Sequence, residues 1–184
     1  MRRSDPSHKA GANMNRYRKP MQIVILIGIV VVGVFTLATS LFNGQDIPKK
    51  GDAAPGFTLP LMQGGESALS DYAGQVVVIN FWGTYCPPCV NEMPLIQSYY
   101  DKYKDQGLTV LGVNENDPLV TAKAFVKQYA LTFPIMMDRD TVRKRYGVTA
   151  YPTTVFVDRG GKIVEIREGE MNEAYLSRML ASLM

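Results

Sequence analysis

The chain has 184 residues, 46% hydrophobic and 20% charged, and carries a net charge of +3 with two cysteines and one histidine. That length suits one compact domain plus an additional segment. Arg2, Arg3, Lys9, Arg16, Arg18 and Lys19 against Asp5 concentrate the positive charge in residues 1–20 and leave 43–184 slightly acidic, which argues against a nucleic-acid-binding surface on the folded part.

Residues 1–20 read as a basic tail. The run that follows, Met21 to Phe42 (MQIVILIGIVVVGVFTLATSLF), contains no charge. As a helix rising about 1.5 Å per residue it spans roughly 33 Å, enough for a bilayer. The positive-inside rule then places the tail in the cytoplasm and everything beyond Phe42 outside. A cleavable signal peptide is the rival, but its apolar core is normally about 7 to 15 residues and ends in a small-residue site. Leu37-Ala38-Thr39-Ser40 matches such a site only weakly, and no cysteine follows to make a lipoprotein anchor. The expected arrangement is a signal-anchor over 21–42, a polar linker over 43–50 and one domain over 51–184, single-pass in the cell membrane with the domain extracytoplasmic.

Within the domain, Gln75 to Phe81 (QVVVINF) and Leu108 to Asn114 (LTVLGVN) are continuous apolar runs of the kind found in buried strands. Helical patterns cover Pro87 to Asp105, Leu119 to Tyr129, Thr141 to Tyr146 and Asn172 to Leu183. Between the second strand and the second helix, Glu115-Asn116-Asp117-Pro118 reads as a solvated loop, with Asp117 as helix cap and Pro118 at the first helical position. Lining a substrate groove is its alternative role. Thr153 to Val157 and Lys162 to Arg167 flank Asp158-Arg159-Gly160-Gly161 as a β-hairpin. Strands alternating with helices and ending in a hairpin predict an α/β sandwich with a mixed central sheet and flanking helices.

Both cysteines lie in FWGTYCPPC, Phe81 to Cys89. Cys86 follows the buried strand and Cys89 falls in the first turn of the next helix, where prolines are tolerated because the first amides have no internal partner. The partial positive charge at that helix start favours a thiolate. Three other accounts compete. A structural disulfide over so short a loop would remove little unfolded-state entropy, on the order of 2 kcal/mol. A metal site lacks ligands, because the only histidine, His8, lies in the tail. Two unrelated buried thiols leave the helix start unexplained. A redox-active Cys86–Cys89 pair, needing neither metal nor other cofactor, accounts best for the placement.

Trp82-x-x-x-Cys86-Pro87-Pro88-Cys89 between strand and helix resembles the active site of the thioredoxin fold. Gly51-Asp52-Ala53-Ala54-Pro55-Gly56-Phe57-Thr58-Leu59, Phe81-Trp82-Gly83-Thr84 and Tyr151-Pro152-Thr153-Thr154 extend the similarity over residues 51–184, to the membrane-anchored TlpA/ResA-like thiol-disulfide oxidoreductases. Their dipeptide between the cysteines is commonly Glu-Pro, where this chain has Pro87-Pro88. The resemblance implies a thioredoxin-like sandwich, an acid beneath the cysteines at Glu92, and a cis Pro152 that turns the backbone of Tyr151 outward to pair with an extended substrate. It also implies a CcdA/DsbD-type membrane protein as electron donor and the haem-attachment cysteines of apocytochrome c as substrate. Relatives acting on spore-envelope or other cell-surface proteins share the chemistry. The opening GDAAPGFTL is shared with peroxiredoxins too, but Thr84 stands two residues before Cys86 rather than three and no arginine lies in the segment. A thiol peroxidase and a passive membrane-tethered binding domain are the remaining alternatives.

Pro87 and Pro88 both lack an N–H that could bond to sulfur. A thiolate with fewer donors is less stabilised, so the couple is expected to be reducing, closer to about −270 than to about −120 mV. Cys89, Glu92, Ile96, Tyr99 and Tyr103 fall on one helical face, where Glu92 interrupts an apolar stripe. It is either a solvated border residue or, as the resemblance implies, a buried acid exchanging a proton with Cys89. Pro152, apart from the resemblance, could begin a strand through an ordinary trans bond. Trp82 either shields the cysteines or is a partly buried aromatic beside them. The candidate residues are thus Cys86, Cys89 and Glu92 for chemistry and Trp82, Pro87, Pro88, Tyr151 and Pro152 for substrate.

Overall fold

The computed structural model describes residues 14–42 and 47–184, with side chains of the first segment described over 21–36. Part of the expected tail and the first half of the expected linker lie outside the described residues. Two compact units divide at Asp46 and Ile47. The first contains helix α1 (Met14–Phe42), which begins ahead of the apolar run. Among the described residues no helix is long and apolar enough to cross a membrane, and the expected span of 21–42 runs past the described side chains.

The second unit is built on a five-stranded sheet whose central strand is Val76–Trp82. In chain order its elements are β1 (Thr58–Pro60), β2 (Glu66–Ala68), β3 (Val76–Trp82), α2 (Pro87–Tyr103), β4 (Leu108–Glu115), α3 (Leu119–Gln128), β5 (Ile135–Asp138), α4 (Thr141–Arg145), β6 (Thr153–Val157), β7 (Ile163–Glu168) and α5 (Glu173–Ala181). Strands run in the order β5-β4-β3-β6-β7, with β1 and β2 a separate antiparallel pair. β4 is parallel to β3 and to β5, whereas β6 is antiparallel to β3 and to β7. The sheet is therefore mixed, and both of its faces are covered.

Every residue of β3 is buried, which explains why it reads as an unbroken apolar run instead of an alternation. Val76, Val78 and Trp82 face Cys89, Met93 and Ile96 of α2, Phe125 of α3 and Leu176 and Leu180 of α5. Val77, Ile79 and Phe81 face Phe57, Leu59, Val142 and Tyr146 on the other side. Each of these large side chains contributes about 1.5–3 kcal/mol by leaving water. Tyr146 also donates its hydroxyl to the Pro55 carbonyl at 2.8 Å, tying the segment before β1 to α4.

Two features lie outside the sequence expectation. The β1–β2 pair has only three residues per strand, and β5 has four, bounded by Pro134 before it and the Asp138 turn after it. Runs that short carry no usable periodicity. Asn80 of β3 stands opposite Gly112 of β4 and Thr154 of β6. A Cβ on Gly112 would lie 2.7 Å from Ile135 and 3.2 Å from the Trp82 indole nitrogen, so glycine there leaves room for the Trp82 ring in the core.

Candidate active site

β3 ends at Trp82, Gly83 to Tyr85 make a turn, and Cys86 becomes the N-cap of α2 with extended backbone at φ −103° and ψ 101°. Its Sγ accepts the N–H of Cys89 at 3.3 Å, while Pro87 and Pro88 occupy the first two helical positions and offer no donor. Cys86 and Cys89 are joined as a disulfide with Cα atoms 5.3 Å apart. Cys86 retains 8% exposure and Cys89 none, so Cys86 is the cysteine nearer to solvent and Cys89 lies within the core.

Beneath that inner sulfur, on the same helical face, Glu92 is 1% exposed. Its carboxylate accepts Asn80 Nδ2 at 2.8 Å and the Met171 N–H at 2.9 Å. Asn80 also donates to Thr154 Oγ1 at 2.9 Å. Burial pushes the Glu92 carboxyl up to about 7, against the pull of the two hydrogen bonds. A group with that proton affinity can take and return a proton near neutrality.

The turn before Cys86 is held from the loop that follows β4. Asp117 accepts the Thr84 N–H at 2.8 Å, the Thr84 hydroxyl at 2.8 Å and Asn114 Nδ2 at 2.7 Å. Across the cysteines, the Tyr151–Pro152 bond is cis and Pro152 is buried. The Tyr151 ring meets the exposed Tyr85 ring edge-on at 6.3 Å. Among the described residues, neither the backbone N–H nor the C=O of Tyr151 has a hydrogen-bond partner.

Residues 50–166 match the AhpC/TSA family. A thiol-disulfide oxidoreductase ResA from Geobacillus kaustophilus is 38% identical over 167 residues, covering 90% of this chain and 96% of the relative. Another from Halalkalibacterium halodurans is 36% identical, covering 90% and 94%. The chain belongs to the AhpC/TSA family, among thiol-disulfide oxidoreductases of the ResA kind. Solved structures agree. A Chlorobium tepidum protein assigned as thiol:disulfide interchange protein DsbE superposes with a TM-score of 0.69 at 34% identity, covering 74% of this chain and 99% of that one. StoA from Bacillus subtilis superposes at 0.60 and 27% identity, covering 69% and 97%. The fold is thus thioredoxin-like and the enzyme a protein-disulfide oxidoreductase.

On this ResA-like scaffold Cys86, Cys89, Glu92, Pro87, Pro88, Tyr151 and Pro152 all gather at one end of the sheet, but three sequence expectations need correction. Trp82 has no exposed surface and packs against Phe125 with ring centroids 4.9 Å apart. It backs the cysteines from within the core and is not part of a substrate-facing surface. Asp117 does not cap α3, whose N-cap is Pro118 with no side-chain bond; the loop before Cys86 takes its carboxylate instead. Glu115 is not in a solvated loop but ends β4 with no exposure. Asn80 was the missed residue with a visible signal, being the single polar position inside an apolar strand. Tyr85 gave none, and Asp117 read as a helix cap because its bonds to Thr84 cross 33 residues of chain.

Proposed function

We propose that this enzyme is an extracytoplasmic protein-disulfide reductase, held to the membrane by the Met21–Phe42 run and acting on the haem-attachment cysteines of apocytochrome c. The observation that carries the reductase reading is the gradient of burial from Cys86, nearest to solvent, to Cys89 and Glu92 within the core on one face of α2. In the reduced enzyme the Cys86 thiolate attacks one sulfur of a target disulfide, forming a mixed disulfide and releasing the first target thiolate. Cys89, giving its proton to Glu92, attacks the Cys86 sulfur. The Cys86–Cys89 disulfide closes, the second target thiolate leaves, and two electrons have passed to the target. The unpaired N–H and C=O of Tyr151 offer the target an added-strand contact. Pro87 and Pro88, exposed and half-buried, form the other side of that contact.

The oxidising space outside the membrane makes an electron supply necessary, and a CcdA/DsbD-type membrane protein is the donor in this scheme. The uncharged run behind a basic tail supports the anchor and its orientation. The resemblance to the ResA group supports the choice of substrate.

The experiment is capture by Cys89→Ser in the native cell. That variant keeps the attacking sulfur and lacks the resolving one, so it accumulates reductant-sensitive mixed disulfides, whereas Cys86→Ser accumulates few. Captured c-type cytochrome precursors support the proposed substrate. Spore-envelope or other cell-surface proteins would replace it, and no capture by either variant would overturn the exchange mechanism.

A further inference from the structure

The face of the sheet opposite Glu92 holds a second buried acid that the exchange mechanism does not use. Glu115 has no exposed surface, and neither carboxyl oxygen has a hydrogen-bond partner. Burying an ionised carboxylate without a hydrogen bond is costly, so a group in this position is kept neutral or leans on a neighbouring cation. Its register partner on β5 is Asp138, whose carboxylate is already engaged by the N–H groups of Arg139, Thr141, Val142 and Arg143. Asp140, at the N-cap of α4, and Arg143 of α4 face it, and from the active-site turns, the hydroxyls of Tyr85 and Tyr151 sense its charge.

Arg143 is the one cation among these groups. Its Nε lies 3.7 Å from Glu115 Oε2 and 2.9 Å from Asp140 Oδ1, and its Nη1 donates to the Val148 carbonyl at 3.0 Å. Val148 begins the stretch that ends in the Tyr151–Pro152 bond. The same guanidinium therefore touches the turn that flanks the cysteines and stands between two carboxyl groups competing for it.

We propose that Glu115 is a positioning residue for the substrate-binding turn, acting through Arg143: ionised, it draws the guanidinium from Asp140 and shifts Val148 to Pro152; neutral, it leaves the turn as described above. Burial first, and then the neighbouring Asp138 carboxylate, push the Glu115 carboxyl up to about 8, against the pull of Arg143. The neutral arrangement thus prevails at and below neutral pH, and the ionised one above about 8. The proposal rests on the reading of Tyr151 as a substrate contact.

The test uses the full-length chain in detergent micelles, oxidised for spectroscopy so that neither cysteine titrates. The ¹⁵N–¹H shift of the Tyr151 amide should move with pH around a midpoint near 8, and the movement should vanish in Glu115→Gln. In Arg143→Gln, where the carboxyl remains but its link to the turn is gone, the Tyr151 movement should be lost as well. With the reduced enzyme, KM for an oxidised Cys-x-x-Cys peptide should change at least about fivefold between pH 6.5 and 9.5 in the parent, the lower end of coupling between sites. In Glu115→Gln that change should shrink to the dependence the cysteines and Glu92 impose by themselves, and reduction of a small aromatic disulfide, which reports that dependence alone, should be alike in both.

A Tyr151 movement absent from the parent, or one that survives Glu115→Gln in folded protein, would overturn the proposal. So would a peptide KM whose pH dependence is the same with and without Glu115. Loss of small-disulfide reduction in the parent would instead strike the exchange mechanism, which keeps the two failures distinct.

Discussion

At the scale of single residues, Glu92 decides how easily the inner sulfur is deprotonated. Glu92→Gln keeps the shape and can still accept the Met171 N–H, but it cannot take a proton. Resolution of the mixed disulfide should slow by about 10²–10⁴-fold, the range for loss of a general base, with the fold intact. Rapid-quench measurement of resolution against pH checks this; a profile matching the parent would return Glu92 to a structural role. The same residue makes stability depend on pH. Its folded carboxyl holds a proton up to about 7, whereas the unfolded one loses it near 4.5, so unfolding releases a proton between those values and stability falls as pH rises through them. The full effect, present below about 4.5 and gone above about 7, is on the order of 3 kcal/mol. Urea denaturation at pH 5 and pH 8 should show the protein more stable at the lower value, and Glu92→Gln should reduce the difference, leaving the part that Glu115, raised to about 8, contributes in the same direction.

The start of α2 is the element on which the chemistry depends. Cys86 is its N-cap and receives one N–H, from Cys89, because the first two helical positions are prolines. Pro88→Ala would restore a donor at the second position, where N-cap acceptors find partners. A hydrogen bond to a charged group contributes about 1.5–3 kcal/mol, so the couple should become more oxidising by about 30–60 mV. Equilibration with glutathione buffers measures the shift, and a potential unchanged or lowered would mean that the new N–H misses the sulfur. The turn leading into this helix depends in the same way on Asp117. Asp117→Ala leaves the Thr84 N–H and the Asn114 amide without their acceptor, which should cost about 1–3 kcal/mol in denaturant midpoint analysis and slow attack by Cys86.

Across the whole molecule, the layers of the sandwich were legible where runs were long. β3 and β4 announce themselves as apolar stretches, and α2 by the stripe from Cys89 to Tyr103, because a strand buried on both faces and an amphipathic helix leave distinct periodicities. The short strands β1, β2 and β5 left none. Nor did the burial of Glu115: a charged residue after an apolar run ordinarily marks a strand's exit to water, and only the fold brings β5 and α4 over it. The cysteines were legible as a pair, but their depth was not, since spacing alone does not say which sulfur faces out. Orientation in the membrane is a property of the entire chain and is tested as such. A reporter active only outside the cytoplasm, fused after Met184, should be active, and activity of a cytoplasm-only reporter would overturn the anchor.

Trp82 is the only tryptophan in the chain, fully buried and packed in the same cluster as both cysteines. Its indole is therefore a built-in optical gauge with two separate scales. A disulfide nearby quenches indole emission by accepting an electron from the excited ring, so the brightness of this single fluorophore should rise when the Cys86–Cys89 bond is reduced. Its wavelength, set by the dry surroundings, should stay blue until the core opens. Electron arrival from a donor and loss of the fold can then be followed in one cuvette, without a label and without confusing one for the other.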